Sequence, residues 1–249
     1  MAFYYSPKIV TDGLVLYLDA ANPNSYVSGS TTWRDISRGG NNGTLINGPT
    51  YSSTNGGSIV FDGSNDYVTL GNVFNDVIAG SGKKFSTLCT FLPLSTSNQA
   101  LFSKYSDAEN GREFAVFVRD VGFGFKIDVI FSTNLNGFVN VVRSDTTLVI
   151  NNLYNIVITY DDTQLTSLDK INIYVNGNIS SKTQPNIGTF GPIVAGPAQF
   201  GLGAAIASTN QTSYRYNGRI YNFSLYSKLL STSEVLQNYN ATKSRFGLI

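Results

Sequence analysis

Apolar residues in this chain recur at every second position over short runs, and Gly, Asn, Asp and Ser break the runs. That is the period of half-buried β-strands separated by turns. The stretch Ser58 to Gly71, SIVFDGSNDYVTLG, has the pattern in its plainest form. Ile59 and Phe61 alternate with Val60 and Asp62, and Val68 and Leu70 alternate with Tyr67 and Thr69. Gly63-Ser64-Asn65-Asp66 lies between them and supplies turn residues, so the stretch predicts a β-hairpin half buried in a sheet.

Strands are expected at Gly13–Asp19, Thr44–Ile46, Phe85–Leu92, Ala100–Tyr105, Glu113–Arg119, Val121–Phe131 and Phe138–Arg143. Leu153–Tyr160 and Lys170–Ile179 predict an antiparallel pair. Asn176-Gly177 fits a type I′ turn, which needs two positive φ angles. Gln199–Gly203 and Tyr214–Tyr226 close the sheets, with Ile220, Phe223 and Leu225 as core candidates. The period then changes. Ser231-Thr232-Ser233-Glu234 is a capping box, and Val235, Leu236 and Tyr239 share one helical face, which predicts a short helix over 232–240. Met1 to Asp12 reads as an arm, 13–240 as one domain and 241–249 as a tail.

Composition agrees with strands. The chain has 249 residues, 42% hydrophobic and 13% charged, with 24 Gly, 15 Tyr and 16 Phe. The net charge of +1, without a basic run, gives no reason to expect nucleic acid as a partner. No apolar run is long enough to insert in a membrane. The N-terminus, MAFYYSPKIVTDG, lacks the basic segment and apolar core of a secretory signal. The single Cys89 forbids an intrachain disulfide and reads as a buried thiol. The absence of histidine removes the commonest general base and every His-containing zinc site. Trp33, the only tryptophan, reads as a ring sealing one end of the core rather than as a sugar platform.

Several ordered motifs resemble laminin G-like domains. They are W-x-D-x-S at Trp33–Ser37, FDG-x-N-D-Y-V at Phe61–Val68, YVNG at Tyr174–Gly177, and L-S-x-x-E-V-x-x-N-Y at Leu230–Tyr239. The resemblance covers about Gly13 to Tyr239. It implies an all-β fold: an antiparallel two-sheet jelly-roll β-sandwich, concanavalin A-like, with a short C-terminal helix. GLVLYLDAANPNSY near the start and NYNATKSRFGL near the end resemble the stand-alone laminin G-like proteins of tailed bacteriophages. That resemblance implies a non-enzymatic virion component, a head decoration, tail or fibre protein, displayed on a particle assembled in the host cytoplasm. Its partners would be other virion proteins or copies of itself, and cell-surface glycans. The rival readings are a free carbohydrate-binding, lectin-like module and a glycoside hydrolase.

The candidate chemistry follows from that. Laminarinase-type glucanases share this fold and use paired carboxylates about 5–5.5 Å apart. This chain has three glutamates, and the capping box accounts for Glu234; Glu109 and Glu113 are spaced wrongly for one strand face, so no catalytic residue is expected. No cofactor is expected beyond calcium, the one metal candidate, whose oxygen ligands would be Asp62, Asn65 and Asp66; the competing use of these residues is the turn itself. For glycans, Tyr26, Asn210, Tyr214 and Tyr216 sit in loops and offer aromatic and amide groups. Subunit contacts are expected at the ends, through Phe3, Tyr4 and Tyr5 and through Phe246, Leu248 and Ile249.

Overall fold

The computed structural model describes residues 8–107, 111–122, 124–134 and 139–248. In chain order the strands are β1 (Leu14–Asp19), β2 (Thr32–Trp33), β3 (Gly43–Ile46), β4 (Thr50–Ser52), β5 (Ser58–Asp62), β6 (Tyr67–Gly71), β7 (Lys84–Pro93), β8 (Gln99–Ser106), β9 (Gly111–Asp120) and β10 (Phe125–Phe131). There follow β11 (Asn140–Ser144), β12 (Tyr154–Asp161), β13 (Ile171–Val175), β14 (Asn178–Ile179), β15 (Lys182–Asn186), β16 (Phe200–Leu202), β17 (Ala205–Ile206), β18 (Thr212–Ser213) and β19 (Asn217–Tyr226). One helical turn, α1, spans Asn75–Ile78, and the helix α2 spans Thr232–Phe246.

Two antiparallel sheets face each other. The first runs β14-β13-β12-β7-β19-β5-β4, with β1 also on β19, and the second runs β15-β11-β10-β9-β8-β16-β6-β3-β2. Alternate residues of both fill the space between them. Phe85, Cys89 and Phe91 of β7 and Ile156, Ile158 and Tyr160 of β12 meet Phe114, Val116 and Val118 of β9 and Ile127, Val129 and Phe131 of β10. Trp33 and Cys89 are fully buried there, as the sequence suggests, and burial pushes the Cys89 thiol well up. The sandwich with its C-terminal helix is the expected fold class, β12 and β13 pair as expected, and Asn176 at φ 50° and Gly177 at φ 79° form the turn between β13 and β14.

The Ser58–Gly71 stretch is not a hairpin. β5 pairs with β4 and β19 in the first sheet, whereas β6 pairs with β3 and β16 in the second. The turn carries the chain from one sheet to the other. Asp62 Oδ1 accepts from the amides of Ser64 and Asn65, and Asp66 Oδ2 from the amide of Asp62, closing the crossover. Period-two alternation is the same for a hairpin and for an arch, because each strand buries one face either way.

The outer face of the first sheet is roofed by α2. Leu88, Val157, Tyr174 and Tyr226 of the sheet pack with Val10, Leu230 and Val235. The capping box is present: the Glu234 amide donates to Ser231 Oγ, and Glu234 Oε2 accepts from the Ser231 amide. The helix runs past the expected residue 240. It stops at Gly247, φ 76°, where the amides of Gly247 and Leu248 donate to the carbonyls of Ser244 and Lys243. No helix among the described residues is long and apolar enough to cross a membrane.

The expected subunit contact at the C-terminal end is corrected. Phe246 is fully buried, its ring 5.4 Å from Tyr221, and Leu248 is buried as well. They are apolar because they cover this chain's own sheet. At the other end, the Val10 amide donates to Asn238 Oδ1 (2.7 Å) and Tyr226 Oη to the Val10 carbonyl (3.1 Å), so residues 8–12 lie on the helix and on β19. Phe3, Tyr4, Tyr5, Glu109 and Ile249 fall outside the described residues.

Candidate functional site

The outer face of the second sheet carries a small apolar cluster of its own, in which Tyr105, Ala115, Phe117, Ile130 and Val141 are buried and Tyr214 is partly exposed. Strand alternation that buries Phe114, Val116 and Val118 turns Ala115, Phe117 and Arg119 outward. Opposite them, β10 presents Lys126 and Asp128, and β11 presents Arg143. The β17–β18 hairpin folds over one side of this face. The Ala100 amide donates to the Tyr214 carbonyl (2.7 Å), and Ser103 Oγ to the Ala204 carbonyl (2.9 Å), which ties the hairpin to β8.

Tyr214 is the centre of the arrangement. Its ring stands edge-on to Phe117, centroids 5.0 Å apart at 87°, and Tyr105 meets Phe117 the same way at 6.0 Å. The Tyr214 hydroxyl donates to Asp107 Oδ2 (2.8 Å) and the Tyr105 hydroxyl to Oδ1 (2.9 Å). Burial and then the Asp107 charge raise both phenols above their ordinary range, so both stay as donors. Arg112 pairs with Asp107 at 3.1 Å. Arg119 lies 5.4 Å above the Phe117 ring and pairs with Asp128 at 3.2 Å, and Arg143 clamps the same carboxylate at 2.6 and 2.8 Å. Arg112, Arg119, Lys126 and Arg143 lie on this face with the carboxylates of Asp107 and Asp128, and Asp120 and Asp145 stand at its end beside Lys126.

The backbone at Tyr214 is strained. Its φ is 53°, left-handed, and among the described residues Phe74 is the other left-handed residue that is neither Gly nor Asn. A bulky side chain in that region costs about 1–3 kcal/mol and persists where the surroundings impose it. Here the strain holds the half-exposed ring above Phe117, beside a 210 Å³ depression lined by Ser106, Asp107, Gln211 and Thr212.

The structure separates the four expected ligand residues. Tyr214 is in the site. Asn210 is on the same hairpin, exposed, with Oδ1 accepting from Gln199 Nε2 (2.8 Å). Tyr216, two residues beyond Tyr214, is fully buried against Phe61 and cannot touch a ligand. Tyr26 is also buried, at the base of a separate groove near β3 and β4. Arg112 and Arg119 are not singled out by the sequence reading, and Phe117, 1% exposed, supports the Tyr214 ring from beneath rather than reaching a ligand; the available signal is the alternation of these residues with the core residues of β9.

The crossover turn engages the carboxylates among the calcium candidates. Asp62 and Asp66 close the crossover turn, and among the described residues no group of three or more His, Cys, Asp or Glu could hold a metal. The carboxylates considered for hydrolysis are equally committed. Glu113 is buried with Lys104, and Glu234 caps α2.

A family model described as the concanavalin A-like lectin/glucanases superfamily matches residues 62–236. No curated protein sequence matches the chain. Solved structures do. Domain 4 of an extracellular arabinanase from Geobacillus stearothermophilus, in complex with arabinotriose, is 15% identical, with a TM-score of 0.61 over 92% of this chain and 100% of that one. The binding domain of Paraclostridial Mosquitocidal Protein 1 is 13% identical, with a TM-score of 0.67 over 95% of this chain and 55% of that one. A Trypanosoma rangeli sialidase mutant displaying trans-sialidase activity is 13% identical, with a TM-score of 0.62 over 97% of this chain and 34% of that one. The chain thus spans about half or less of the last two. At these identities the likeness establishes the fold.

Proposed function

This chain belongs to the concanavalin A-like lectin/glucanases superfamily, and we propose that within it the protein is a non-catalytic glycan-binding domain that takes acidic saccharides on the outer face of its second sheet. The observation that carries the reading is the strained Tyr214, held above Phe117 between Arg112 and Arg119. The aromatic edge suits the CH face of a sugar, Asp107 accepts from sugar hydroxyls, and the guanidinium groups match a carboxylate. The arabinanase domain, similar in fold over its whole length, was solved holding arabinotriose, which supports a saccharide as the ligand class.

Catalysis is disfavoured by the same geometry. Retaining and inverting glycosidases need one carboxylic acid kept protonated beside a second carboxylate. On this face Asp107 and Asp128 are each ion-paired with arginine, the opposite of the apolar setting that keeps an acid protonated.

The test is a glycan array followed by calorimetry on the full chain. Uronic- or sialic-acid-containing oligosaccharides are expected to bind, and Arg119→Ala to weaken them by roughly tenfold. Binding that ignores both Arg119→Ala and Tyr214→Asn, or hydrolysis of any bound glycan, sinks the reading.

We further propose that the domain serves as a structural component of a bacteriophage particle, on the resemblance of its 13–26 and 238–248 segments to stand-alone virion proteins. Mass spectrometry of purified particles checks this, with many copies expected; a chain found only free in the lysate defeats it.

A further inference from the structure

We infer that the groove between the β2–β3 region and β4 is a second saccharide site, distinct from the first and selective for uncharged oligosaccharides. The groove has a volume of 480 Å³ and is walled by Tyr26 and Tyr51. Their rings lie 5.7 Å apart at 30°, and Trp33 stands edge-on behind Tyr26 at 6.5 Å. Tyr26 is pinned, because its hydroxyl donates to the Ser30 carbonyl (2.9 Å). Tyr51 packs against the core, with its hydroxyl beside Gly57, where only a residue without a Cβ leaves room for it. Tyr26 is buried and backs Tyr51, so the surface offered to a sugar is the partly exposed Tyr51 ring, held in place with little entropy to lose on stacking.

The polar lining selects the ligand. Among the described residues no charged side chain lines the groove. The exposed hydroxyls of Ser28, Thr31 and Thr50 carry no hydrogen bond within the described chain. Asn47, at the lip, spends its amide nitrogen on the Asn65 carbonyl (2.9 Å) and leaves its Oδ1 toward solvent. An aromatic wall facing unspent hydroxyls and one amide oxygen fits a neutral polyhydroxylated ring, with donors and acceptors on both partners. An anion would find no countercharge there, in contrast to the arginine-rich face. The two surfaces are separated by about 19 Å, four strand spacings from β9 to β3. This site therefore does not depend on the first.

The chain carries its own reporter, because its single tryptophan is the ring behind Tyr26. The experiment titrates the full chain with neutral di- to tetrasaccharides of the arabino, xylo, gluco and galacto series, following tryptophan emission and calorimetric heat. At least one series is expected to saturate below about 10 mM. Tyr51→Ala is expected to weaken it by roughly tenfold and exposed Asn47→Ala by about threefold, while Tyr51→Phe and Arg119→Ala leave it unchanged. Thermal midpoints show whether Tyr51→Ala stays folded; if it does not, Asn47→Ala decides. The inference is overturned if no neutral probe saturates, if the deciding variant binds as the parent does, or if binding is lost on Arg119→Ala.

Discussion

Lys104 Nζ lies 2.9 Å from Glu113 Oε1, and both side chains are completely sealed from solvent. The pair exists because of a register shift: Lys104 opposes Phe114 while Tyr105 opposes Arg112, so Glu113 is the extra residue of a β-bulge. The ammonium also donates to Asn72 Oδ1 (2.6 Å) and the Ala198 carbonyl (2.7 Å). The pair thus holds the 196–199 segment over one end of the sandwich. Removing one member strands the other charge. Lys104→Met is expected to cost about 3–5 kcal/mol in denaturant unfolding, and the double variant Lys104→Met/Glu113→Leu to recover most of it. A double variant as unstable as the single would mean the pair is a net contributor.

Burial raises the Glu113 carboxyl to about 7, with the Lys104 charge and the Gly196 amide pulling the other way. A raised acid pKa favours the folded state below its unfolded value, near 4.5, and that advantage is lost as pH rises through 7. At the acid end, burial opposes ionisation of Asp161, but hydrogen bonds from Thr163, Gln164 and Lys84 win and hold it at about 2. That contribution is present above pH 3.8 and lost as pH falls toward 2. The thermal midpoint is therefore expected to fall on both sides of about pH 4–5. Glu113→Gln should flatten the upper limb and Asp161→Asn the lower; a profile unmoved by either variant refutes the assignments.

Phe246→Ala is expected to destabilise by about 3–5 kcal/mol, because the ring fills a closed space against Tyr221. At this chain length that is a shift of roughly ten degrees in midpoint. A change below one degree would mean that the last helical turn is not part of the core.

Tyr214→Asn separates function from stability. Asparagine tolerates the left-handed backbone, so relief of strain offsets the lost ring packing. The midpoint is expected within about two degrees of the parent, while acidic-glycan binding falls at least tenfold. A variant that loses several degrees shows that the ring is held for packing.

Much of the fold was legible because strand period survives any partner. What failed is what period cannot encode. Ser58–Gly71 alternates identically as hairpin or arch, and only the pairing of β5 with β19 decides. Ile220 and Phe223 both face inward despite opposite parity, because the register skips Tyr221. Tyr214 and Tyr216 look equivalent in sequence; the left-handed turn at the first sends one ring to the surface and the other to the core. The helix continues beyond Asn240 because Thr242 and Phe246 extend its buried face onto the sheet, and Gly247 supplies a stop seven residues after Asn240.

The bond between the Val10 amide and Asn238 lays the beginning of the described chain on the C-terminal helix, so both described ends lie on the roofed side of the first sheet. Whatever is tethered through either end is therefore anchored at the back of the sandwich. The arginine–tyrosine face then points away from the attachment point, and closely spaced copies fixed this way would form an array of outward-facing, individually weak contacts whose strength comes from their number.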